Sequence, residues 1–562
     1  MKNPLNSLLA ICLATILGGA SGNELIGNQT SKTAALIEQP LQAIQTVSSL
    51  RSIHGSQGLR LLVMGYSADN DGGQGIFAWS PTFSGADDGG VHVIPTGQVG
   101  AGAWERQFTG AVRPEWFGVK CNSFADDTTA FQKVVNYVTA NKARVFFIEL
   151  SDCTLRLTAP ITVTGSLRIV GQGVAPYDGV IGTPGGGSWL LFDHAGVGIN
   201  VAAGRVISGV MFEKFGTRRN QPDPAPGWAP ASYDFDFVVT NADASFVDVM
   251  LLNPTKGIKH DKGNAGRLTV ERLRGQPLQV GIEVSESYDT FRANNVHFWP
   301  FWRDDKNVHA YTRGNLDAFR LYRVDNPMLS NVFTIFARAG IRLSENSQGR
   351  VSKLHLVNAD LDRGTFGIWV DSSVKKGVTV QADNVSIEGE SGAADTKGIF
   401  DQGSNTRMSF GNLRIDISGQ NAIRIEGTGN KYRVNNLEII GYDRSAAKFP
   451  AVEVTAGNSI MVTELPLISG GGAGPKYGGA GSIRAKLAQG KIDATTNSSG
   501  DIVVTHGAGV VPELIVAQLI SSSPLHWSVV SATATSFTIR TYTATGAPLA
   551  NSMVSYYWHA EK

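Results

Sequence analysis

Cysteine and charge are both scarce in this chain of 562 residues. There are three cysteines, Cys12, Cys121 and Cys153, so no disulfide framework can hold the fold together. Cys121 and Cys153 could pair, but lone buried thiols are the favoured expectation. Charged residues make up 17% of the chain and the net charge is +1, which gives no electrostatic reason to expect nucleic acid or an anionic membrane as partner.

Glycine and strand-forming residues, in contrast, are abundant. The 65 glycines, with many Val, Ile, Thr and Ser residues, are typical of short strands joined by tight turns. Residues 125–141 predict an amphipathic helix, because Phe131, Val134 and Val138 fall on one face and Asp126 can cap the first amides. We expect this helix to cover the open end of a stack of strands. The fold class is therefore mainly β.

A short phrase recurs through residues 145–454: a small residue, then usually a β-branched one, then a larger side chain. Its spacing is about 24 to 31 residues, with one gap of about twice that length, which is typical of a β-solenoid whose turns pair as parallel strands. The phrase begins at Gly257, Gly281, Gly340, Gly367, Gly398 and Ala422. Leucine-rich repeats have a similar length, but their fixed Leu and Asn positions are missing. The sequence therefore predicts a rod of stacked turns.

The segments on either side of the repeat differ from it. Residues 1–58 contain an apolar stretch, residues 8–17, interpreted either as a secretory signal peptide or as an apolar helix within an assembly, and then a docking arm. Residues 59–110 predict a small β head module and residues 456–490 a Gly-rich linker. Residues 491–562 predict a C-terminal β-sandwich for trimerisation or carbohydrate binding.

An acidic turn in the head module, residues 69–75, has a faint likeness to a calcium loop. The twelfth position of such a loop needs a bidentate Glu, whereas Ser80 stands there. We therefore expect a plain turn, with no metal and no cofactor.

Residues 112–138, VRPEWFGVKCNSFADDTTAFQKVVNYV, resemble the start of the pectate-lyase-like right-handed parallel β-helix in bacteriophage tailspikes and capsule depolymerases. The matching residues are Trp116, Phe117, Gly118, Asp126, Asp127 and Thr128, while Cys121, Asn122 and Ser123 replace the Gly-Asp-Gly turn of that family. The head module and the C-terminal sandwich also look like tailspike modules. The resemblance implies an all-β chain with a head module, a capping helix, a right-handed parallel β-helix over residues 111–455 and the C-terminal β-sandwich.

The resemblance also implies a function. It implies a homotrimeric spike of the virion tail that joins a phage tail or baseplate protein through its N-terminus and binds, and usually cuts, a host capsule or O-antigen polysaccharide. Glycosidic hydrolysis is the favoured reaction. The alternatives are β-elimination on a uronate-containing capsule and a non-catalytic receptor-binding spike. If residues 1–22 are a signal peptide, the chain is instead a secreted β-helix enzyme.

Residues 288–311, YDTFRANNVHFWPFWRDDKNVHAY, combine more aromatic and charged side chains than any other segment. Sugar rings stack on aromatic faces while their hydroxyls take hydrogen bonds, so this stretch predicts a polysaccharide platform. Alternation along a strand predicts that only some of its rings face outward. The predicted substrate-binding residues are Trp299, Trp302, Arg303, His297 and His309, with Trp228 on a protruding loop and Trp369.

Hydrolysis needs two carboxyl groups, one protonated and one ionised. Position in the repeat favours Asp289 with Asp304 or Asp305, since like phases of adjacent turns stack, and Glu283 is a further candidate. The remaining acids of the middle turns, interpreted mostly as surface charges, are Asp234, Asp236, Glu286, Glu345, Asp360, Asp362, Glu388 and Glu390. Elimination would use a base and cations drawn from His297, Arg303, Lys306, His309 and Tyr311.

Overall fold

The computed structural model describes residues 41–562 except 143, 144, 146, 182, 263–266 and 509. The apolar N-terminal stretch, with most of the predicted docking arm, lies outside the described residues. Strands dominate, as predicted. The helices of the described residues are Val47–Leu50, the 3-10 turn Pro114–Phe117, Thr128–Ala140 and Lys306–Asn315. Within this part of the chain no helix has both the length and the apolar character needed to cross a membrane.

The head module is a five-stranded sheet. Its strands, in order across the sheet, are Gln42–Thr46, Arg60–Gly65, Gly75–Ser80, Ala103–Arg106 and His92–Val93. The first strand pairs in parallel with the second, so the module begins before residue 59, where the sequence pattern places its start. The acidic segment at residue 69 is the expected turn, because Asp71 accepts backbone N–H groups of Tyr66, Ser67 and Gly73.

The helix Thr128–Ala140 closes the first turn of the rod, as expected from its apolar stripe. Phe131, Val134 and Val138 are buried in the main core. The sequence predicts Asp126 as the cap, but the N-cap residue is Asp127. The carboxylate of Asp126 still accepts the backbone N–H of Thr128, at 3.0 Å.

Cys121 and Cys153 form a disulfide, with Cα atoms 5.6 Å apart, so the expectation of two lone thiols is wrong. The cause is strand register. Asn122 pairs with Thr154 across the parallel strands Asn122–Asp126 and Thr154–Leu157, so the preceding residues lie side by side. A pairing between positions 32 residues apart cannot be seen in the sequence pattern.

Reduction of this disulfide is expected to destabilise the start of the rod. Closing a loop of this size restricts the unfolded chain by about 3–4 kcal/mol. Thermal unfolding with and without reductant measures the effect, and Cys153→Ser should match the reduced protein. Cys12→Ser, which keeps the pair, should still respond to reductant. An unfolding midpoint that does not change on reduction would contradict the prediction.

Behind the helix the chain winds into a parallel β-helix with three faces, which we name face A, face B and face C. The residues of the repeated phrase lie on face A, where Ile258 pairs with Ile282 and Ile341 with Ile368. The strands of face A are Ile161–Val163, the first halves of Ile199–Glu213 and Phe235–Val247, then Lys256–Lys262, Val280–Ser287, Asp317–Val324, Ala339–Leu343, Phe366–Val370, Lys397–Asp401, Ile423–Ile425, Val452–Val454 and Tyr477–Gly478.

Faces B and C share long strands that bend between them. Face B opens with Phe147–Glu149, Leu167–Val170, the second halves of Ile199–Glu213 and Phe235–Val247, and Arg267–Glu271; face C opens with Asn122–Asp126, Thr154–Leu157, Trp189–Phe192, Gly216–Arg218, Met250–Leu251 and Arg274–Gly275. The shared strands are Thr290–Phe298, Met328–Ile335, Leu354–Gly364, Thr379–Gly389, Arg407–Asp416, Lys431–Ile440 and Ile460–Ser469. A two-stranded hairpin, Glu345–Asn346 with Gly349–Arg350, projects from the rod.

Asparagines form the bend between face B and face C. Asn295, Asn331, Asn358 and Asn384 adopt positive φ of 51° to 55°, which asparagine tolerates better than most residues. Their side chains join successive turns: the amide of Asn358 donates to Asn331 at 3.0 Å, and that of Asn384 donates to Asn358 at 3.1 Å. The ladder continues to Asn412 and fixes the bend in every turn that it crosses.

The rod continues past residue 455, where the sequence predicts a flexible linker. Ile460–Ser469 pairs in parallel with the preceding turn, and Ser482–Thr495 pairs in parallel with Ile460–Ser469. The glycines of this segment lie at the corners between strands, where Gly470 and Gly479 adopt positive φ of 62° and 95°. The Gly-rich composition of this segment is typical of a flexible linker, but the segment forms a turn of the β-helix.

The C-terminal domain is the antiparallel β-sandwich predicted. One sheet contains Leu514–Ile520, Met553–Glu561 and the end of Ser482–Thr495, and the other contains Asp501–Thr505, Ser536–Tyr542 and His526–Ala532. Ile502, Phe537 and Tyr556 lie in the core between them.

Candidate functional site

A groove runs along face C beside the asparagine ladder. Successive strands place one outward side chain each in register, so neighbours lie about 4.8 Å apart. In order along the rod these are His297, Phe333, Asp360, Ser386, Arg414, Glu438 and Leu467. From Ser386 to Leu467 the surface forms a concavity of about 500 Å³ that Asn384, Asn412 and Asn436 also line. A linear polymer can lie in such a groove.

Three carboxyl groups lie in this groove, at the N-terminal side of the concavity. Asp360 and Asp362 project from the same side of strand Leu354–Gly364, since they are two residues apart. Leu361 pairs with Ile387 on the next strand, and the charge of Glu388, the residue after Ile387, acts on Asp362. All three acids are at least partly exposed. Glycoside hydrolysis requires two neighbouring carboxyl groups of this kind.

The environment of Asp362 keeps it protonated to unusually high pH. Burial, the negative charge and hydrogen bond of Asp360, and the charge of Glu388 together raise the pKa of Asp362 to about 7, and the nearby Arg363 opposes them. A carboxyl group that remains protonated near neutrality can donate a proton, while a carboxylate beside it stays available to attack or to activate water.

Aromatic side chains form a wall at the N-terminal side of these acids. The rings of His297 and Phe333 meet edge to face at 5.0 Å, and those of His309 and Phe336 stack at 3.8 Å. Phe333 is the register partner of Asp360 and is partly exposed. Burial lowers the pKa of both histidines. The wall gives a sugar ring an apolar face next to the carboxyl groups.

The acids predicted from residues 288–311 are not brought together. Asp289 precedes strand Thr290–Phe298 and is paired with Arg267 at 2.7 Å, whereas Asp304 follows that strand and lies 3.3 Å from Nε2 of His309. Asp305 caps the helix Lys306–Asn315 by accepting the N–H of Asn307 at 2.7 Å. The nine-residue strand between them separates Asp289 from the other two, so Asp289 cannot flank one sugar bond with either.

Most of the predicted aromatic platform packs inward. A satellite core beside the rod contains Trp189, Trp228, Met250, Leu252, Leu278, Phe301, Trp302 and Val308. Trp228 and Trp302 are 8% and 5% exposed, with ring centroids 6.0 Å apart, so the loop that carries Trp228 folds down rather than protruding. Trp299 remains partly exposed, and Arg303 covers the ring of Trp302. His297, Trp299 and His309 are therefore the members of the set that adjoin the groove.

Two other predicted residues, Glu283 and Trp369, lie on face A. Glu283 pairs with Arg320 at 3.2 Å and with Lys259 at 3.6 Å. Trp369 occupies the same ladder of outward positions, three strands farther along. The structure thus separates these two residues from the acids of face C.

Asp401 also has a pKa raised to about 7 by burial, but it offers no site. Its side chain is fully buried and accepts hydrogen bonds from Asn430 and Tyr432, so no polymer can reach it. Glu115, Cys121 and Cys153 are close enough to share a metal ion, but the two sulfur atoms are joined in the disulfide. Neither group competes with the acids of face C.

The sequence contains one signal that favours two of these acids over the other candidates. Asp360 and Asp362 alternate with Ala359 and Leu361 in NADLD, a pattern that puts both acids on one side of a strand. The pattern does not show that this strand pairs with the strand that carries Glu388.

Comparisons with known proteins agree with this architecture. The family described as a phage tail protein small four-stranded beta-sheet domain matches residues 43–109, the head module. No curated protein sequence matches the chain.

Several solved structures are similar to the chain. The gp42 tailspike of Acinetobacter phage vb_AbaP_AS12 is 13% identical, with 92% of this chain and 94% of that chain covered and a TM-score of 0.52. Full-length tailspike protein 2 from Escherichia coli O157:H7 bacteriophage CAB120 is 12% identical, with 94% and 74% covered and a TM-score of 0.48. The tailspike gp49 of Acinetobacter baumannii bacteriophage Fri1, a capsular polysaccharide depolymerase, is 12% identical, with 93% and 98% covered and a TM-score of 0.42.

The match to a phage tail domain covers the N-terminal module, and the structural likeness at a TM-score of 0.52 covers nearly all of the rest. The predicted resemblance to bacteriophage tailspikes and the predicted place in a virion tail are thereby confirmed. The chain thus combines a phage tail domain at residues 43–109 with a parallel β-helix and a C-terminal sandwich, and it shares its fold with the gp42 tailspike structure.

Proposed function

We propose that the chain is a polysaccharide depolymerase that holds a host surface glycan in the groove of face C and cleaves it by hydrolysis. The observation that carries the proposal is the meeting of Asp360, Asp362 and Glu388 in that groove, between the aromatic wall and the concavity, with the pKa of Asp362 raised to about 7. The tailspike fold supports a glycan as ligand. The groove supports a linear one.

In this mechanism Asp362 donates its proton to the glycosidic oxygen as the bond to the leaving sugar breaks. Glu388, on the adjacent strand, either attacks the anomeric carbon or removes a proton from the attacking water. Asp360 raises the pKa of Asp362 and so keeps the proton in place until the substrate arrives. Phe333 and Trp299 contact the sugar on one side of the cut, and Ser386 and Arg414 contact it on the other.

Product chemistry tests the reaction class. Purified full-length chain is incubated with capsule or O-antigen of the bacterium to which it binds. New reducing ends without ultraviolet absorption are expected from hydrolysis. Unsaturated products that absorb in the ultraviolet would favour elimination, with a base and cations such as His309 and Arg303. Tight binding without any product would favour the receptor-binding spike and overturn both enzymatic proposals.

We further propose that the active particle is a homotrimer that docks to a phage tail or baseplate protein through the N-terminal module. The tailspike fold and the phage tail domain at residues 43–109 support this assembly. Sedimentation of the full chain should give three times the mass of the 59.8 kDa protomer. A monomer at micromolar concentration would contradict it.

Phe333→Ala is expected to weaken substrate binding more than turnover. Loss of one ring that stacks on a sugar costs about 0.5–1.5 kcal/mol, which corresponds to roughly a two- to thirteenfold increase in KM. Phe124→Ala, at a ring that is 83% exposed at the other end of face C, is the matched control and should leave KM unchanged. If Phe333→Ala leaves KM unchanged, the aromatic wall does not contact the glycan.

A further inference from the structure

Face A carries an aromatic and cationic surface for which the proposed reaction has no use. Its centre is a buried carboxylate, Asp317, that accepts hydrogen bonds from three arginines. Nε of Arg320 lies 2.8 Å from it, Nη2 of Arg338 2.6 Å and Nη1 of Arg342 3.0 Å. Arg342 is shared with Asp371. Arg320 also pairs with Glu283, so three carboxylates face the three guanidinium groups, which are one-fifth to one-quarter exposed and can still donate to a ligand.

Three aromatic rings lie beside these arginines on consecutive strands. The ring of Phe366 is 5.3 Å from that of Trp369 and 5.2 Å from that of Phe400. Arg342 lies over the indole of Trp369 at 4.4 Å, and the indole N–H donates to Gln402 at 3.2 Å, so the Trp369 side chain is held in place. All three rings are partly exposed. Such rings suit the apolar face of a sugar.

Lys397 stands next to the rings without a close counter-ion. Its Nζ lies 4.9 Å from the centre of the Phe400 ring and 5.5 Å from that of Phe366. It donates to the carbonyl oxygen of Asp395 at 3.4 Å, and no carboxylate oxygen of the described residues lies within 4.0 Å. Asp395 and Glu426 act on it only from farther away, and burial together with Arg424 lowers its pKa. A half-buried ammonium in this setting favours a bound anion.

From this geometry we infer that face A binds a sugar that carries a carboxylate. The ring stacks on Trp369 and Phe400, and its carboxylate accepts hydrogen bonds from Lys397 and from Arg338. A neutral sugar would use the rings but leave the ammonium unpaired. The inference rests on the proposed function only in taking the ligand to be a glycan, since none of the three acids of face C takes part. The surface would hold an acidic polysaccharide on the rod apart from the site of cleavage.

Titration calorimetry on the full chain tests this inference with two probes, a short oligogalacturonate and the same oligomer fully methyl-esterified. The esterified oligomer keeps the rings and loses the charge. The acidic oligomer is expected to bind at least about tenfold more tightly, the effect of one charge-assisted hydrogen bond. Lys397→Met should remove that difference and leave the weak binding of the ester unchanged. Lys431→Met, at an exposed lysine of face B, is the control and should bind both probes as the parent does.

Several results would overturn the inference. They are equal affinity for the two oligomers, no binding of either, or full binding by Lys397→Met. Loss of oligogalacturonate binding in Asp362→Asn or Glu388→Gln would place the uronate in the groove of face C instead. A changed sedimentation mass for Lys397→Met would mean that the surface joins copies of the chain. Cleavage is measured separately, so failure of the proposed hydrolysis leaves the outcome of this titration unaffected.

Discussion

Asp362→Asn is expected to lose about a thousandfold in kcat while the protein still folds and binds its glycan. General acid catalysis contributes about a hundred- to ten-thousandfold to such reactions, and an amide of the same shape cannot donate the proton. Glu388→Gln should be similarly impaired, because it loses the group that attacks or activates water. Release of reducing ends measures the rate, and binding to immobilised polysaccharide measures the retained affinity.

The pH dependence of cleavage and of stability tests the role of Asp362 in a second way. Asp362 must be protonated to act, so the wild-type rate should fall as the pH rises through about 7. The raised pKa also means that the unfolded chain ionises Asp362 at lower pH than the folded chain does. Folded stability is therefore lost as the pH rises from about 4 to about 7, and Asp362→Asn should not share that loss. An inactive variant that is at least as stable as the parent above pH 7 is the expected signature of a catalytic group.

The acids favoured by the sequence serve as controls. Asp289→Asn and Asp304→Asn remove exposed carboxylates that pair with Arg267 and His309, and we expect rates within about threefold of the parent. If either variant abolishes cleavage while Asp362→Asn is active, the site lies at residues 288–311 and the proposal for face C is wrong.

The fold could be predicted because its turns repeat. A phrase that starts at Gly257 and Gly281 lies on face A in register, turn after turn. The long gap before Gly340, expected to be about two periods, contains one further turn, in which Ala318 occupies the first position of the phrase. The segment ahead of Ala318 is lengthened by the helix Lys306–Asn315, which shifts the spacing. Repetition thus identifies a solenoid even where insertions change its period.

The site could not be predicted because catalysis depends on register between turns, whereas the phrase gives the phase of face A alone. Asp362 and Glu388 are 26 residues apart in the sequence and become neighbours through the pairing of Leu361 with Ile387. The aromatic platform predicted at residues 288–311 packs mostly inward for a related reason. Pro300 ends strand alternation, and the rings of Phe301 and Trp302 then both turn into the satellite core. Composition identified rings and charges, but burial decided which of them face the polymer.

Arg219→Met is expected to destabilise the rod by about 3–5 kcal/mol, the largest effect on stability predicted for a single substitution. The side chains of Arg219 and Asp236 are both fully buried, and Nε of Arg219 lies 2.7 Å from Oδ1 of Asp236. Thr217 donates to the other carboxylate oxygen, and Arg219 also donates to the carbonyl of His194. Burial raises the pKa of Asp236 and Arg219 opposes that rise, so removal of the arginine leaves a buried acid without its counter-charge.

A second substitution, at Asp236, tests whether the unpaired carboxylate causes the loss of stability in Arg219→Met. Replacing both members of a buried pair with apolar groups of similar size is often nearly neutral, so Arg219→Met with Asp236→Leu should recover most of the stability that Arg219→Met loses. Arg272→Met breaks an exposed pair with Asp248 and should leave the unfolding midpoint almost unchanged. Denaturant unfolding measures all of these variants. A double variant no more stable than Arg219→Met would mean that Arg219 acts through its packing on Phe192 and Tyr233 rather than through its charge.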